Sequence, residues 1–167
     1  MLAWFELDET ASPGQADRMI ETLAQDLLAR GWRLAGAVQR NLDRGADCAC
    51  DMELHLLGSS GPPVRISQSL GPGASGCRLD TTALAGAAGR VAAGLAEAEL
   101  VILPKFGRQE AAGAGFRDVI GRALSEGIPV LLHVPHQQRA AFAEFACGMG
   151  SRLAPDGLRD WCEGLRT

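Results

Sequence analysis

Leu2-Ala3-Trp4-Phe5-Glu6-Leu7 is an apolar run of strand length, and residues 8–14 form a turn-rich loop. Between Gln15 and Arg30, Met19, Leu23, Leu27 and Leu28 recur at helical spacing. Gly31 stops that helix as a left-handed cap would, and residues 32–39 have the apolar character of a second strand. Such a β–loop–α–β opening favours a parallel sheet with helices on its faces. Residues 51–57 and 64–69 alternate polar and apolar around a turn at 58–63, which predicts an antiparallel hairpin inserted into the α/β plan. Asp80 N-caps an alanine-rich helix reaching to about Glu97. A buried strand at 100–103, a helix at 115–126 closed by Gly127, and a strand at 128–134 follow. A helix at 138–147, a short strand around Arg152 and a last helix at 155–165 complete one α/β domain over residues 1–167.

A chain of 167 residues is long enough to bury a full core without metal or disulfide staples. Hydrophobic and charged shares of 47% and 22% describe an ordinary globular protein. The formal net charge of −4 offers no general attraction for nucleic acid or anionic lipid, so any anion site must be local. Few aromatic residues and no tyrosine argue against a base-stacking platform. The N-terminal apolar run has no basic leader, and no stretch reaches the roughly 18 apolar residues of a membrane span. Five cysteines, an odd number, fit reduced thiols better than a disulfide framework. These features predict a cytoplasmic protein.

In open α/β sheets ligands bind beyond the carboxyl ends of the strands. The loops leaving such ends are residues 8–14, 104–115 and 133–138. The glycine-rich stretch Leu70-Gly71-Pro72-Gly73-Ala74-Ser75-Gly76 could join them, delivering Cys77 and Arg78 to the start of a helix. Arginine recognises oxyanions with its forked donors, and the thiol could serve as a soft ligand or a nucleophile. The competing reading is a structural Cys77 with Arg78 paired to Asp80 or another carboxylate. Lys105 and Arg108 could neutralise an anion, Glu110 could orient Lys105 or a water, and Gly107 permits a turn that a side chain would block. The alternative there is a solvated loop holding an ion pair of little energetic weight.

Cys48-Ala49-Cys50-Asp51 lacks the second ligand pair that zinc sites need, and His133 and His136 flank Pro135 without further ligands, so no metal site is assigned. A redox link between Cys50 and Cys77 stays open. His55 is expected on the solvent face of the hairpin, and Cys147 and Cys162 in the core.

The order of these motifs resembles a bacterial family of unknown function. The resemblance rests on Leu34-Ala35-Gly36-Ala37-Val38-Gln39, Cys50-Asp51-Met52, Ile66-Ser67-Gln68, Gly76-Cys77-Arg78-Leu79-Asp80, Lys105-Phe106-Gly107-Arg108-Gln109-Glu110 and Gly115-Phe116-Arg117. Members are described as nucleoside-triphosphatase-like or are found with molybdate-transport genes. The resemblance runs over nearly the whole chain and implies a P-loop NTPase-like α/β fold. It implies distant similarity to thermophilic nucleoside-triphosphatases and to the adaptor of molybdopterin-guanine dinucleotide synthesis. It adds Cys50 and Asp51 to the candidate ligand-binding residues.

A working P-loop needs Gly-x-x-x-x-Gly-Lys-Ser/Thr, whose amides and lysine hold phosphates and whose hydroxyl holds magnesium. The corresponding residues 8–17 lack the lysine, carry Asp8, Glu9 and Asp17, and lose an N–H donor at Pro13. Where related NTPases place magnesium-holding acids after a central strand, this chain has Pro104 and Lys105. The expectation is therefore a small accessory protein on a degenerate P-loop NTPase-like fold. It would bind an oxyanion or phosphate-bearing ligand such as molybdate, tungstate or a nucleotide, with molybdate or a molybdenum-cofactor precursor implied as the first candidate by the resemblance. A nucleoside-triphosphatase with a non-standard site and a regulatory or assembly partner without a small ligand are the alternatives, and the resemblance implies a protein partner in molybdenum metabolism.

Overall fold

The computed structural model describes residues 1–43, 51–68 and 79–167. Strands β1 (Leu2–Phe5), β2 (Leu34–Leu42), β3 (Asp51–Leu57), β4 (Val64–Arg65), β5 (Leu100–Leu103), β6 (Val130–His133) and β7 (Gly150–Arg152) form one sheet in the order β4-β3-β2-β5-β6-β1-β7. The five strands from β2 to β7 are parallel, and β3 and β4 complete the sheet in antiparallel pairing. The helices are α1 (Gln15–Ala29), α2 (Thr81–Ala93), α3 (Arg108–Ala111), α4 (Arg117–Ser125), α5 (Arg139–Ala146) and α6 (Leu158–Gly164). This is the expected α/β fold, a mostly parallel sheet flanked by helices and consistent with a P-loop NTPase-like arrangement.

Strand alternation divides the core into two layers. Ala3, Phe5, Leu100 and Ile102 face α1 and α6, meeting Ile20, Leu27, Leu158 and Cys162. Leu2, Val101, Leu103 and Leu132 face the other side, where Leu84, Val91, Ile120 and Phe142 come from α2, α4 and α5. Both layers are sealed, as a parallel sheet requires.

The chain leaves β1 toward one face through α1 and leaves β6 toward the opposite face through α5. These neighbouring strands thus mark the point where the winding reverses, and a crevice opens at their carboxyl ends.

Gly31 ends α1 at φ +76, and Asp80 caps α2 by accepting from the Ala83 N–H at 2.9 Å, both as expected. The antiparallel part is three strands wide, because β2 runs on to Leu42 and pairs with β3 from Gly36↔Leu57 to Leu42↔Asp51. The hairpin is therefore an edge extension of β2. The helix expected to reach Glu97 breaks at Gly94, and residues 95–97 tighten into a 3-10 turn. Residues 104–115 hold the one-turn helix α3 where a loop was expected. Cys147 is not core: it ends α5 in the left-handed region at φ 46 and is exposed, while Cys162 is buried as expected.

Candidate functional site

Two adjoining cavities of about 460 and 480 Å³ occupy the crevice, and both include Lys105, Pro135 and Gln137 in their walls. The three strand-end loops meet there as expected. Ile66 and Leu79, which flank residues 69–78, also reach the first cavity. The flanks are held to each other by a Ser67↔Leu79 bridge and by Asp80 N–H donating to the Ile66 carbonyl at 2.7 Å.

Lys105 is fixed by its neighbours. Phe106 is fully buried against Phe142 and Phe145, with ring centroids 5.2 and 5.3 Å away, and its N–H donates to the His133 carbonyl at 2.8 Å. This anchor sets Lys105 at the junction of the cavities, half-buried. Arg108 follows at the first position of α3, exposed and lining the first cavity.

Glu110 is 4% exposed and holds the loop together. Its Oε2 accepts from the Gly107 N–H at 2.8 Å and its Oε1 from the Phe116 N–H at 2.9 Å. The first bond is the reach-back half of a capping box, and it explains why α3 forms within a glycine-flanked loop. Gly107 has an ordinary φ of −99, so its turn needs no left-handed backbone; a Cβ there would lie 3.2 Å from Glu110 Oε2 and 3.7 Å from Lys105 Cε. A side chain at 107 would require the Glu110 carboxylate to give by a few tenths of an ångström.

A polar relay links the two cavities. Gln39, 5% exposed, donates Nε2–H to Asn41 Oδ1 at 2.9 Å, and Asn41 donates Nδ2–H to Asp17 Oδ2 at 3.0 Å. Gln39 lines the first cavity and Asp17 the second. Burial raises the Asp17 pKa above its usual value, and Lys105, Asn41 and Arg18 act against that shift. His133, whose ring lies 5.2 Å from Phe5, is held down to about 4 by burial and by the Lys105 charge, so it is neutral at pH 7.

The β1–α1 loop uses its donors internally. Thr10 N–H donates to Asp8 Oδ1 at 2.9 Å, Ala11 N–H to the Asp8 carbonyl, Ser12 N–H to Gln15 Oε1 and Gln15 N–H to the Ser12 carbonyl. The Thr10 hydroxyl and N–H together lower the Asp8 pKa. Four amides that could face a phosphate are thereby spent on the loop itself.

Of the expected site residues, Lys105, Gly107, Arg108 and Glu110 come together at the first cavity. Asp51 lines neither cavity; it is 3% exposed, and its Oδ1 accepts from Arg65 Nη2 at 2.7 Å and from the Ser67 hydroxyl at 3.3 Å. Cys50, Gly73, Gly76, Cys77 and Arg78 lie outside the described residues. Sequence reasoning missed Gln39 and Asn41. The available signal was a glutamine closing the apolar run Ala35-Gly36-Ala37-Val38, an unusual place for an amide unless it has polar work. Among the described residues no cluster of three or more His, Cys, Asp or Glu could hold a metal, and no helix is long and apolar enough to cross a membrane.

The chain belongs to the family described as Protein of unknown function (DUF2478), which matches residues 9–161. A relative from Bradyrhizobium diazoefficiens, named Molybdenum import ATP-binding protein ModC 2, is 41% identical over 138 residues. That match covers 82% of this chain and 15% of the relative, so the chain spans a minor part of the relative's length. No solved structure matches the chain.

Proposed function

We propose that this member of the DUF2478 family is a ligand-binding accessory protein of molybdenum metabolism that holds a phosphate-bearing or oxyanionic ligand at Lys105. The observation that carries the reading is the place of Lys105, anchored by Phe106 at the junction of two cavities, where the winding of the sheet reverses. Arg108 adds a second cation on the same wall. Cys77 and Arg78, with amides from the 71–76 glycine loop, join this site on the strength of the sequence alone, as does Cys50; Asp51 is left out, because its buried carboxylate is taken up by Arg65 and Ser67 away from both cavities. The molybdenum link draws on the relative's printed name and on the resemblance of the motifs. Molybdate, tungstate and a molybdenum-cofactor precursor are the first ligands to try.

Ordinary NTP hydrolysis is disfavoured. The β1–α1 loop lacks a lysine and spends four amides internally, and its Asp8 and Glu9, with Asp17 from the first turn of α1, surround the second cavity, where they would repel phosphates. We read it as a degenerate P-loop. The test is the melting temperature against molybdate, tungstate, sulfate, phosphate and magnesium nucleotides, since a ligand of the folded state stabilises by RT ln(1 + [L]/Kd). A selective rise with an oxyanion or phosphate-bearing compound, without phosphate release from nucleotides, supports the proposal. Magnesium-dependent turnover would replace it with the NTPase reading. No shift with any of them would leave a protein partner as the better account.

A further inference from the structure

The first cavity is larger and more apolar than a bare oxyanion needs. Its volume of about 460 Å³ lies in the range of organic-ligand pockets, roughly 300–1,000 Å³. Met52, Leu54, Ile66, Leu84 and Phe116 form apolar wall, which would strip water from a small anion without replacing its hydrogen bonds. Into this wall is set the amide of Gln39, a polar side chain more than nine-tenths buried.

The relay fixes which way that amide faces. A carboxylate only accepts, so Asn41 must offer Nδ2 to Asp17 and thereby Oδ1 to Gln39. Gln39 then spends one Nε2 hydrogen on Asn41 and keeps its second hydrogen and Oε1. Oε1 accepts no hydrogen bond from any described residue. An amide held in one orientation, with an acceptor and a neighbouring donor that no described residue occupies, complements a planar edge with N–H next to an acceptor.

We infer that Gln39 reads the donor–acceptor edge of a planar nitrogen heterocycle seated in this cavity, whose phosphate is held at Lys105. The inference rests on the anion site proposed above and narrows it: the ligand is a phosphorylated heterocycle of the purine or pterin kind, not a free oxyanion. The apolar walls take the ring faces, the Gln39 amide takes the edge, and Lys105 and Arg108 take the charged end. Molybdate alone would fill only that end.

Calorimetric titration with GMP, AMP, a pterin monophosphate, inorganic phosphate and molybdate tests this. At least one heterocyclic phosphate should bind ten-fold or more tighter than phosphate or molybdate, and the nucleotide and pterin arms identify the source. Gln39→Leu should weaken that compound roughly ten-fold or more, the cost of an unmet buried hydrogen bond, while leaving inorganic phosphate unaffected. Met52→Trp, which fills the cavity from a half-buried position, should do the same and guards against a Gln39 variant that folds poorly. Phosphate or molybdate binding as tightly as every heterocycle would overturn the inference while leaving the anion site standing. So would folded Gln39→Leu and Met52→Trp proteins with undiminished affinity for the heterocycle. Absence of binding by all five compounds would remove the anion site, and the inference with it.

Discussion

Glu110 offers the sharpest energetic test of how the site is built. Glu110→Gln keeps the shape of the side chain but replaces one acceptor oxygen with a donor amide. In the native loop the two carboxylate oxygens serve the Gly107 and Phe116 N–H groups at 2.8 and 2.9 Å, and the residue is 4% exposed. A glutamine can serve one of these N–H groups; the other then faces an NH₂ and has no acceptor. An orphaned buried donor costs about 1–3 kcal/mol, and the surviving bond loses its charge assistance, for a total of about 2–4 kcal/mol. For a domain of this size that corresponds to a melting temperature lower by roughly 5–15 °C. Urea denaturation followed by circular dichroism, with calorimetry for the midpoint, measures it. Glu110→Ala, which orphans both donors, should lie below Glu110→Gln. If Glu110→Gln melts within about 1 °C of wild type, these N–H groups do not depend on the carboxylate and the account of the 104–117 loop is wrong.

Three further outcomes follow from named contacts. Gly36 has φ +115, and a Cβ there would sit 1.9 Å from the Ile102 carbonyl oxygen, so Gly36→Ala should cost on the order of 4 kcal/mol in denaturant unfolding; a loss below about 1 kcal/mol would contradict the packing. His133 has its pKa lowered to about 4 in the fold against 6.5 when unfolded. The unfolded chain therefore binds more protons as the pH falls below 6.5, and stability should drop between pH 6.5 and about 4, by up to about 3 kcal/mol. The raised pKa of Asp17 acts in the opposite sense above pH 3.8, so the His133 contribution is isolated by difference from His133→Phe, whose curve should be flatter; parallel curves would refute it. Iodoacetamide should label exposed Cys147 in the native protein but spare Cys162, which is buried and has its thiol pKa pushed up to about 12. Peptide mapping that finds Cys162 labelled as fast as Cys147 would count against the α6 packing.

The sheet was readable because its signals are local. Leu100–Leu103 and Asp51–Leu57 carry uninterrupted and alternating patterns, and Gly31, Asp80 and Gly127 punctuate the helices by known backbone rules. Cys147 misled because its neighbours Phe145 and Ala146 are apolar, whereas its own position is set by the left-handed turn that ends α5. The one-turn helix α3 could not be read from periodicity, since it exists through a single carboxylate reaching back to Gly107. Within the site, Lys105, Gly107, Arg108 and Glu110 were legible as a cluster in sequence. The Gln39–Asn41–Asp17 relay was not, because Asp17 and Asn41 lie at the far ends of the consecutive elements α1 and β2 and meet only when α1 packs back on the sheet.

The most direct test of the central claim compares wild type, Lys105→Ala and the surface control Arg122→Ala by calorimetric titration with whichever phosphate-bearing or oxyanionic compound most stabilises the wild-type protein. Loss of a buried charge-assisted contact predicts affinity weaker by roughly ten- to hundred-fold in Lys105→Ala, with Arg122→Ala unchanged. Equal affinity in all three proteins, each folded, would place the ligand away from Lys105 and contradict the account.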